Sequence, residues 1–439
     1  MKTARMFMVL MMAGWGALSG PAWGETRLIT ISECLSLTLE YSREMLLARE
    51  GIHQSEGLYI AERSAAFPQL NASLGMIHGR DESMSLFPDA PVEGNQYQGA
   101  LNLKQALFTW GKINAAVNAA KYDAVSAEQQ YRQARQLALR QAAIRFYDLI
   151  LTRELEKVAR DNVAQKQRHL DEARRKYQMG VATDYDVLAA EVALTNARPG
   201  LTRATNDIRL AQEHLRYFMG ITDAFDVRGE LSPIIDFPES LQEIIQKAVD
   251  SRPEMAYADS RIGVFKELAV VAAAGDKPRI DFEGNMGWAS FENTDFDYPG
   301  HSWNAGVYFS VPLFDGFKTR GDSIQAKSRL SSAEIEKQKL LDVISLEARD
   351  AFNKALEAIE IVTALEATLA QAERLLKMAE TGYREGVKTR LEVNDAEFNL
   401  QSARSNLAIA KRDTIAARIV LLWIKGEDIQ LALAGERNR

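Results

Sequence analysis

Cysteine is almost missing from this chain: Cys34 is the only one in 439 residues, so no intrachain disulfide can form. It does not stand in a lipidation box either, because Glu33 fills the preceding place where a small residue is wanted. Cys34 therefore reads as a small buried hydrophobe. Histidine is scarce, and His53, His78, His169, His214 and His301 never pair at a metal-binding spacing. His78 and His301 fall at strand or loop positions and read as surface residues. A phosphate loop, a nucleophile elbow and a zinc motif are all absent, so the sequence offers no catalysis, no metal and no cofactor. Long apolar runs are missing beyond residue 24: the longest, Ile419 to Ile424, is a third of the roughly 20 residues a membrane-crossing helix needs. That excludes a helical inner-membrane transporter. Proline is absent between residues 112 and 179 and between 318 and 381, which leaves both stretches free to be helical throughout.

What is present suffices for a folded protein. With 46% hydrophobic and 26% charged residues, the chain can bury a large core. Residues 1–24 read as an export signal: Lys2 and Arg5, an apolar run from Met6 to Leu18, a helix-breaking Gly20-Pro21, then small residues near Ala22-Trp23-Gly24. Its removal takes away two positive charges and no negative ones, which moves the formal net charge from −7 to −9. An acidic chain speaks against nucleic acid as a partner.

The chain then says nearly the same thing twice. Tyr177, Gly180, Val181, Thr183, Val187, Ala190, Glu191 and Leu194 return, each 206 positions later, as Tyr383, Gly386, Val387, Thr389, Val393, Ala396, Glu397 and Leu400. Leu107, Phe108 and Lys112 map at the same offset onto Leu313, Phe314 and Lys318, whereas Glu44, Met45 and Pro68 map onto Glu254, Met255 and Pro278 at 210. A duplicated structural unit follows, with copies at 25–228 and 229–439 intertwined in one domain.

Each copy opens with a short amphipathic segment (31–41; 241–249) and a second helical stretch closed by Pro68 or Pro278. The period then changes from helical to alternating, in Leu70, Ala72, Leu74, Met76 and in Ile280, Phe282, Gly284, Met286, Trp288. Return strands alternate likewise, through Tyr97, Gly99, Leu101, Leu103 and through Trp303, Ala305, Val307, Phe309. The hairpins lie near 69–107 and 279–313, with strands of about 10 residues, one face greasy and one polar or small. Such a face fits a soluble sheet covered on one side, or a barrel with lipid outside and water inside. The connecting loops, Arg80 to Asn95 and Ala289 to Gly300, are long and acidic and carry Phe87, Phe291, Phe296 and Tyr298. Together with the export signal, they favour the barrel.

After each hairpin comes a very long helical segment, Lys112 to Met179 and Lys318 to Thr381, on the order of 100 Å at 1.5 Å per residue. Leu341, Ile344, Ala348, Ala351, Ala355, Ile359, Val362, Leu365, Leu369, Ala372, Leu376, Ala379 and Tyr383 step almost throughout by three and four, an alanine-rich coiled-coil seam. Gly180 and Gly386 are the expected left-handed caps. Return helices, Asp184 to Met219 and Arg390 to Ile424, are little more than half as long, so the helix before Pro68 or Pro278 is expected to stack end to end on each. Arg198-Pro199-Gly200 interrupts the first return helix, and an interior proline costs about 3 kcal/mol unless accommodated, so a kink or break is expected there. The fold class is mainly α with transmembrane β. Two hairpins supply four strands, too few to close a barrel, and open edges cannot be left in a bilayer, so several chains must share one barrel. Two would give eight strands and three would give twelve; composition does not choose.

Phe67-Pro68-Gln69-Leu70, Pro312-Leu313-Phe314-Asp315-Gly316, Tyr383-Arg384-Glu385-Gly386-Val387 and the paired order of helix, hairpin, long helix and short helix resemble the TolC family of outer-membrane efflux and secretion channels, over essentially the whole mature chain. The resemblance implies a homotrimer with a twelve-stranded barrel in outer-membrane lipid and an α-helical barrel in the periplasm. It also implies docking, through a periplasmic adaptor (membrane fusion) protein, onto an inner-membrane pump of RND or ABC type. It places Glu392 and Asp395, three apart on one helix face, in an acidic ring at the periplasmic gate. It also implies a tip latch of Asp186 with Tyr383 and Lys388, where lysine gives a point charge in place of a bidentate arginine, and with Arg390 as an extra candidate. On this reading the chain is a passive conduit for small molecules or proteins, the outer part of a tripartite efflux or type I secretion system. The rival, a periplasmic coiled-coil adaptor bridging a pump to another channel, needs soluble β-domains, and no run of strands beyond the two hairpins is visible.

Overall fold

The computed structural model describes residues 27–81, 92–234, 239–292 and 297–435. The export signal at 1–24 and the loop residues Phe87 and Phe296 lie outside them. The first half of the chain runs β1 (Arg27–Ile29), α1 (Ile31–Tyr41), α2 (Arg43–Ser64), β2 (Gln69–Asp81), β3 (Val92–Phe108), α3 (Lys112–Gln178), α4 (Asp184–Met219) and β4 (Phe225–Val227). The second runs α5 (Leu241–Ser251), α6 (Pro253–Ala273), β5 (Arg279–Glu292), β6 (Asp297–Ser310), α7 (Lys318–Arg384), α8 (Arg390–Ile424) and α9 (Ile429–Gly435). Among the described residues no helix is long and apolar enough to cross a membrane.

β2, β3, β5 and β6 form one antiparallel sheet in that order. Its register puts Ala72, Leu101, Met286 and Trp303 in one row, and Asn71, Asn102, Asn285 and Asn304 in a row of the opposite face. The alternating apolar positions of all four strands thus share a side. On the polar side Asn285 donates to Asn304 at 2.8 Å, and Lys104 pairs with Glu283 at 2.8 Å. The apolar side is bare: Leu74 is 92% and Trp303 81% exposed. The strands, of 13, 17, 14 and 14 residues, outrun the expected ten because the ladder needs only backbone and continues past the last alternating apolar residue, as far as Asp81 opposite Val92.

Sheet and helices join through two left-handed residues in succession: Trp110 and Gly111 (φ 51° and 79°) before α3, Gly316 and Phe317 (φ 65° and 66°) before α7. Each pair has one glycine and one aromatic, in opposite order. The aromatic bears a left-handed cost of about 1–2 kcal/mol, and each is engaged edge-on, Trp110 by Phe108 at 5.3 Å and Phe317 by Phe314 at 5.6 Å.

The principal core lies midway along the helices, where α1, α9 and the parallel β1–β4 pair cover α3 and α4 through Ile29, Leu35, Leu139, Phe146, Leu215 and Met219. Beside it, the Arg252 guanidinium is buried between Glu254 and Glu347 (2.9 and 2.5 Å) and over the Trp423 ring, 4.6 Å from its centroid. Further along α7 and α8 the core narrows to small knots: Val362 with Leu407 and Ala410, Ala372 with Leu400 and Ala403, Ala379 with Val393 and Ala396. Their α7 members, Val362, Ala372 and Ala379, lie on the seam read from the sequence, and their α8 partners recur every seven residues. α2 and α4 both pack on α3, and α4 ends at Gly220 (φ 70°), where an added Cβ would lie 2.1 Å from the Tyr41 carbonyl at the α1–α2 junction. Gly426 (φ 70°) abuts Ser251 at the α5–α6 junction in the same way, so each return helix stacks end to end on a shorter one.

Of the kink or break expected at Pro199, no break occurs: α4 is one helix from Asp184 to Met219. Proline removes the amide that would bond the Thr195 carbonyl, but Thr195 and Pro199 both lie on the exposed face, where that carbonyl is solvated and packing on α3 carries the helix through.

Gly220→Ala is expected to lower the thermal midpoint far more than Gly180→Ala, by circular dichroism of the detergent-solubilised protein. Both positions are left-handed, but Gly180 has open space around its Cβ position and Gly220 has backbone. Equal effects would show that the helix stacking at Tyr41 contributes nothing.

Candidate functional site at the helical tip

The two long hairpins turn by the same chemistry. In the first, the Gly180 amide bonds the Tyr177 carbonyl at 2.9 Å and Val181 bonds Lys176 at 3.0 Å; in the second, Gly386 bonds Tyr383 at 3.2 Å and Val387 bonds Gly382 at 2.8 Å. These are the paired bonds of a Schellman turn, and they need the left-handed glycines (φ 76° and 80°) the sequence supplies at Gly180 and Gly386. Each return helix then starts with a threonine cap.

The caps decide where the acids go. Thr183 donates its amide to the Asp186 carboxylate at 2.8 Å while its hydroxyl accepts from the Asp186 amide at 3.3 Å. Thr389 and Glu392 repeat the exchange at the same distances. Asp186 and Glu392, placed by the family resemblance in a latch and a gate, are thus equivalent positions 206 residues apart with the same local task. The amide and hydroxyl of Thr183 hold the Asp186 carboxyl below its usual range. Glu392 is held at about 2, first by Lys388, whose Nζ lies 2.5 Å from Oε1, and then by the Thr389 amide. The lysine stem crosses Gly382, where a Cβ would come within 2.5 Å of Lys388 Cγ. Copy one has Ala182 in place of this lysine.

Within one chain, Asp186, Tyr383 and Lys388 are therefore not brought together: Asp186 is turned to Thr183 and Lys388 to Glu392. Tyr383 instead lies between two cations, Lys176 of α3 with its ammonium 5.2 Å from the ring centroid and Arg390 of α8 at 5.6 Å. Lys176 is also bonded to Glu172 at 2.8 Å, which holds its pKa up. Asp395, one turn beyond Glu392, is exposed and has no hydrogen-bond or ion-pair partner among the described residues. Of the two carboxylates assigned to the ring, Glu392 is neutralised locally and Asp395 is free.

The sequence reading missed the strongest contact between the hairpins. Glu397 on α8 is buried and accepts from Lys166 Nζ at 2.8 Å and from His169 Nε2 at 2.5 Å, both on α3. Burial pushes its carboxyl up, but the His169 and Lys166 bonds outweigh this and hold it at about 2. Its counterpart in the repeat, Glu191, is exposed on α4 and reaches only Arg174 of α3, at 3.9 Å. Part of the signal was available: Glu191 and Glu397 are among the residues that recur, though both α4 and α8 pack on α3 and only Glu397 is buried there.

A family model described as "Outer membrane efflux protein" matches residues 34–221 and 244–427. The chain is 22% identical over 423 residues to outer membrane protein TolC of Vibrio cholerae serotype O1, covering 93% of this chain and 92% of that protein. It is 24% identical over 393 residues to outer membrane efflux protein BepC of Brucella suis biovar 1, covering 86% and 81%. Among solved structures, the Campylobacter jejuni CmeC outer membrane channel matches with a TM-score of 0.80 at 17% identity, covering 98% of this chain and 97% of that one. A membrane protein from Pseudomonas aeruginosa matches at 0.79 and 20%, covering 94% and 99%.

Glu397→Gln is expected to cost roughly 3 kcal/mol at neutral pH, because it leaves Lys166 and His169 facing a neutral amide in a buried seam. A carboxyl held below its ordinary 4.5 lends stability above that value and loses it as pH falls toward 2. The gap between wild type and variant should therefore be full at pH 6 and closed near pH 2 in denaturant titrations; a gap independent of pH would contradict the charged triad.

Proposed function

The chain belongs to the outer membrane efflux protein family, and from that premise we propose how it builds a channel and where that channel is gated. It is an outer-membrane protein of a Gram-negative bacterium and the outer component of an efflux or secretion system; TolC-family proteins work with an adaptor and an inner-membrane pump. The observation that carries the proposal is the sheet. Its four strands, each longer than the 9–11 residues a tilted strand needs to cross a bilayer, leave β2 and β6 with open edges and bare an apolar face. A barrel closed by joining β6 of one copy to β2 of the next satisfies both. Family likeness favours three copies, hence twelve strands, over two. Phe67, Trp110, Phe314 and Phe317, exposed where strands give way to helices, sit at the level of a lipid interface.

Below the sheet, the same join sets α7 of one copy against the bare flank of α4 in the next, where Tyr185, Leu188 and Val192 are exposed, and the helices close into a tunnel. The chain then divides into an export signal and two repeats meeting near 228 and 229. The tip is the gate. Asp395 supplies the free charge of its acidic ring and Glu392 the neutralised partner, while Asp186, Tyr383 and Lys388 latch across the turns only when neighbouring copies come together, Lys388 bridging Asp186 while it keeps Glu392. Energy comes from the partner pump.

In planar bilayers, Asp395→Ala is expected to enlarge the openings and weaken cation selectivity more than Glu392→Ala does, since Lys388 already cancels the glutamate. Equal effects, or none, would remove the ring. Asp186→Ala or Tyr383→Phe should raise conductance, and unchanged conductance in both would remove the latch. Closure itself is read by pairs of cysteines introduced along β2 and β6, against a silent background, because burial pushes the lone Cys34 thiol up to about 12. Oxidation should give a ladder ending at three chains; absence of inter-chain bonds at every pair would sink the shared barrel.

A further inference from the structure

A trough of about 700 Å³ runs between α3 and α8, lined by Arg140, Arg145, Asp148 and Arg412 together with the apolar Ile144 and Val420. Three guanidinium groups face one carboxylate. Asp148 is shared by Arg145 at 3.2 Å and Arg412 at 3.5 Å, and Asp413 meets Arg412 at 3.1 Å. Two of the arginines keep unused donors. Arg140 lies over the Trp423 ring, 4.1 Å from its centroid, and makes no hydrogen bond or ion pair among the described residues; Glu347, the acid that acts on it most, is bonded to Arg252. The Nε of Arg412 is buried and reaches Asp148 Oδ1 only at 3.5 Å, without a hydrogen bond. Buried polar groups are nearly always paired, so a loosely held Nε beside an idle guanidinium leaves room for a second acceptor.

At the 206-residue offset, Arg140, Arg145, Asp148 and Arg412 correspond to Leu346, Ala351, Lys354 and Asn206, so the duplicated unit does not repeat the cluster, and α7 forms the same long helix as α3 without its three residues. Ile144 packs against the main core of Leu139, Ala143 and Phe146 and also lines the trough, so the trough borders that core with an apolar floor. Planar guanidinium groups, one of them held flat by an indole, match the two oxygens of a carboxylate or sulfonate, and the apolar lining suits a hydrophobic body attached to it.

We infer that this trough binds an amphiphilic organic anion, a carboxylate or sulfonate joined to an apolar ring system, one per chain. Its placement on the tunnel wall rests on the trimeric channel proposed above; the binding itself does not. Calorimetric titration of the full-length, detergent-solubilised protein with naphthalene-1-sulfonate is expected to show saturable binding of one per chain. Arg140→Gln and Arg412→Gln should each weaken it at least tenfold, and a naphthylmethyl-trimethylammonium cation should not saturate. No saturable binding by the wild type, equal binding by the folded variants, or equal binding of the cation would overturn the site. Conductance of the same preparations separates the two readings: protein that conducts but does not bind keeps the channel and loses the site, and protein that binds but never conducts keeps the site and loses the channel.

Discussion

A β-sheet of four strands leaves two rows of backbone amides and carbonyls unpaired, and no other constraint in this chain reaches so far. In water those groups at β2 and β6 are solvated at little cost. In lipid each costs several kilocalories per mole, so an apolar sheet of this kind is stable there only when another copy supplies the missing ladder. Features that look unfinished in one chain share this cause. The bare face carrying Leu74 and Trp303 and the exposed flank of α4 are surfaces that the proposed assembly would cover.

The helices meet a second constraint, that of forming a wall one helix thick. Alanines at 348, 351, 355, 372, 379, 396, 403 and 410 are buried, and their small side chains bring helix axes close while leaving most of each helix bare. Such a seam is nearly periodic, and sliding it by seven residues replaces alanine with alanine. Buried charge removes that ambiguity. Glu397 meets Lys166 and His169 in one register alone, and Arg252 meets Glu254, Glu347 and Trp423 in one register alone. These ion pairs fix alignment more than they add stability, a use of buried polarity known from coiled coils.

Much of this architecture is legible in the sequence because it is written locally. Pro68, Pro278, Gly180 and Gly386 end helices for reasons of backbone geometry, and the change from helical to alternating period marks the hairpins within a few residues. The site is less legible. Asp186 and Glu392 follow a threonine by three residues, the signature of a capping box, yet the family resemblance drew them into two different roles. Glu397 is hidden for another reason: its partners lie 231 and 228 residues away, and nothing local tells it from the exposed Glu191. Pro199 looks like a break because propensity counts only its own helix, whereas packing along α3 outweighs one lost bond.

The triad at Glu397 also bears on symmetry. Where α8 meets α3 within a chain, the seam is bolted by charge at 166 and 169; in the ring proposed above, where α7 would meet the next copy, the equivalent residues are Ala372 and Leu375, which have nothing to offer a carboxylate. Such a ring would alternate bolted and unbolted joints. With twice as many hairpins as copies, it would move as blocks of two hairpins, its compliance confined to the joints between chains.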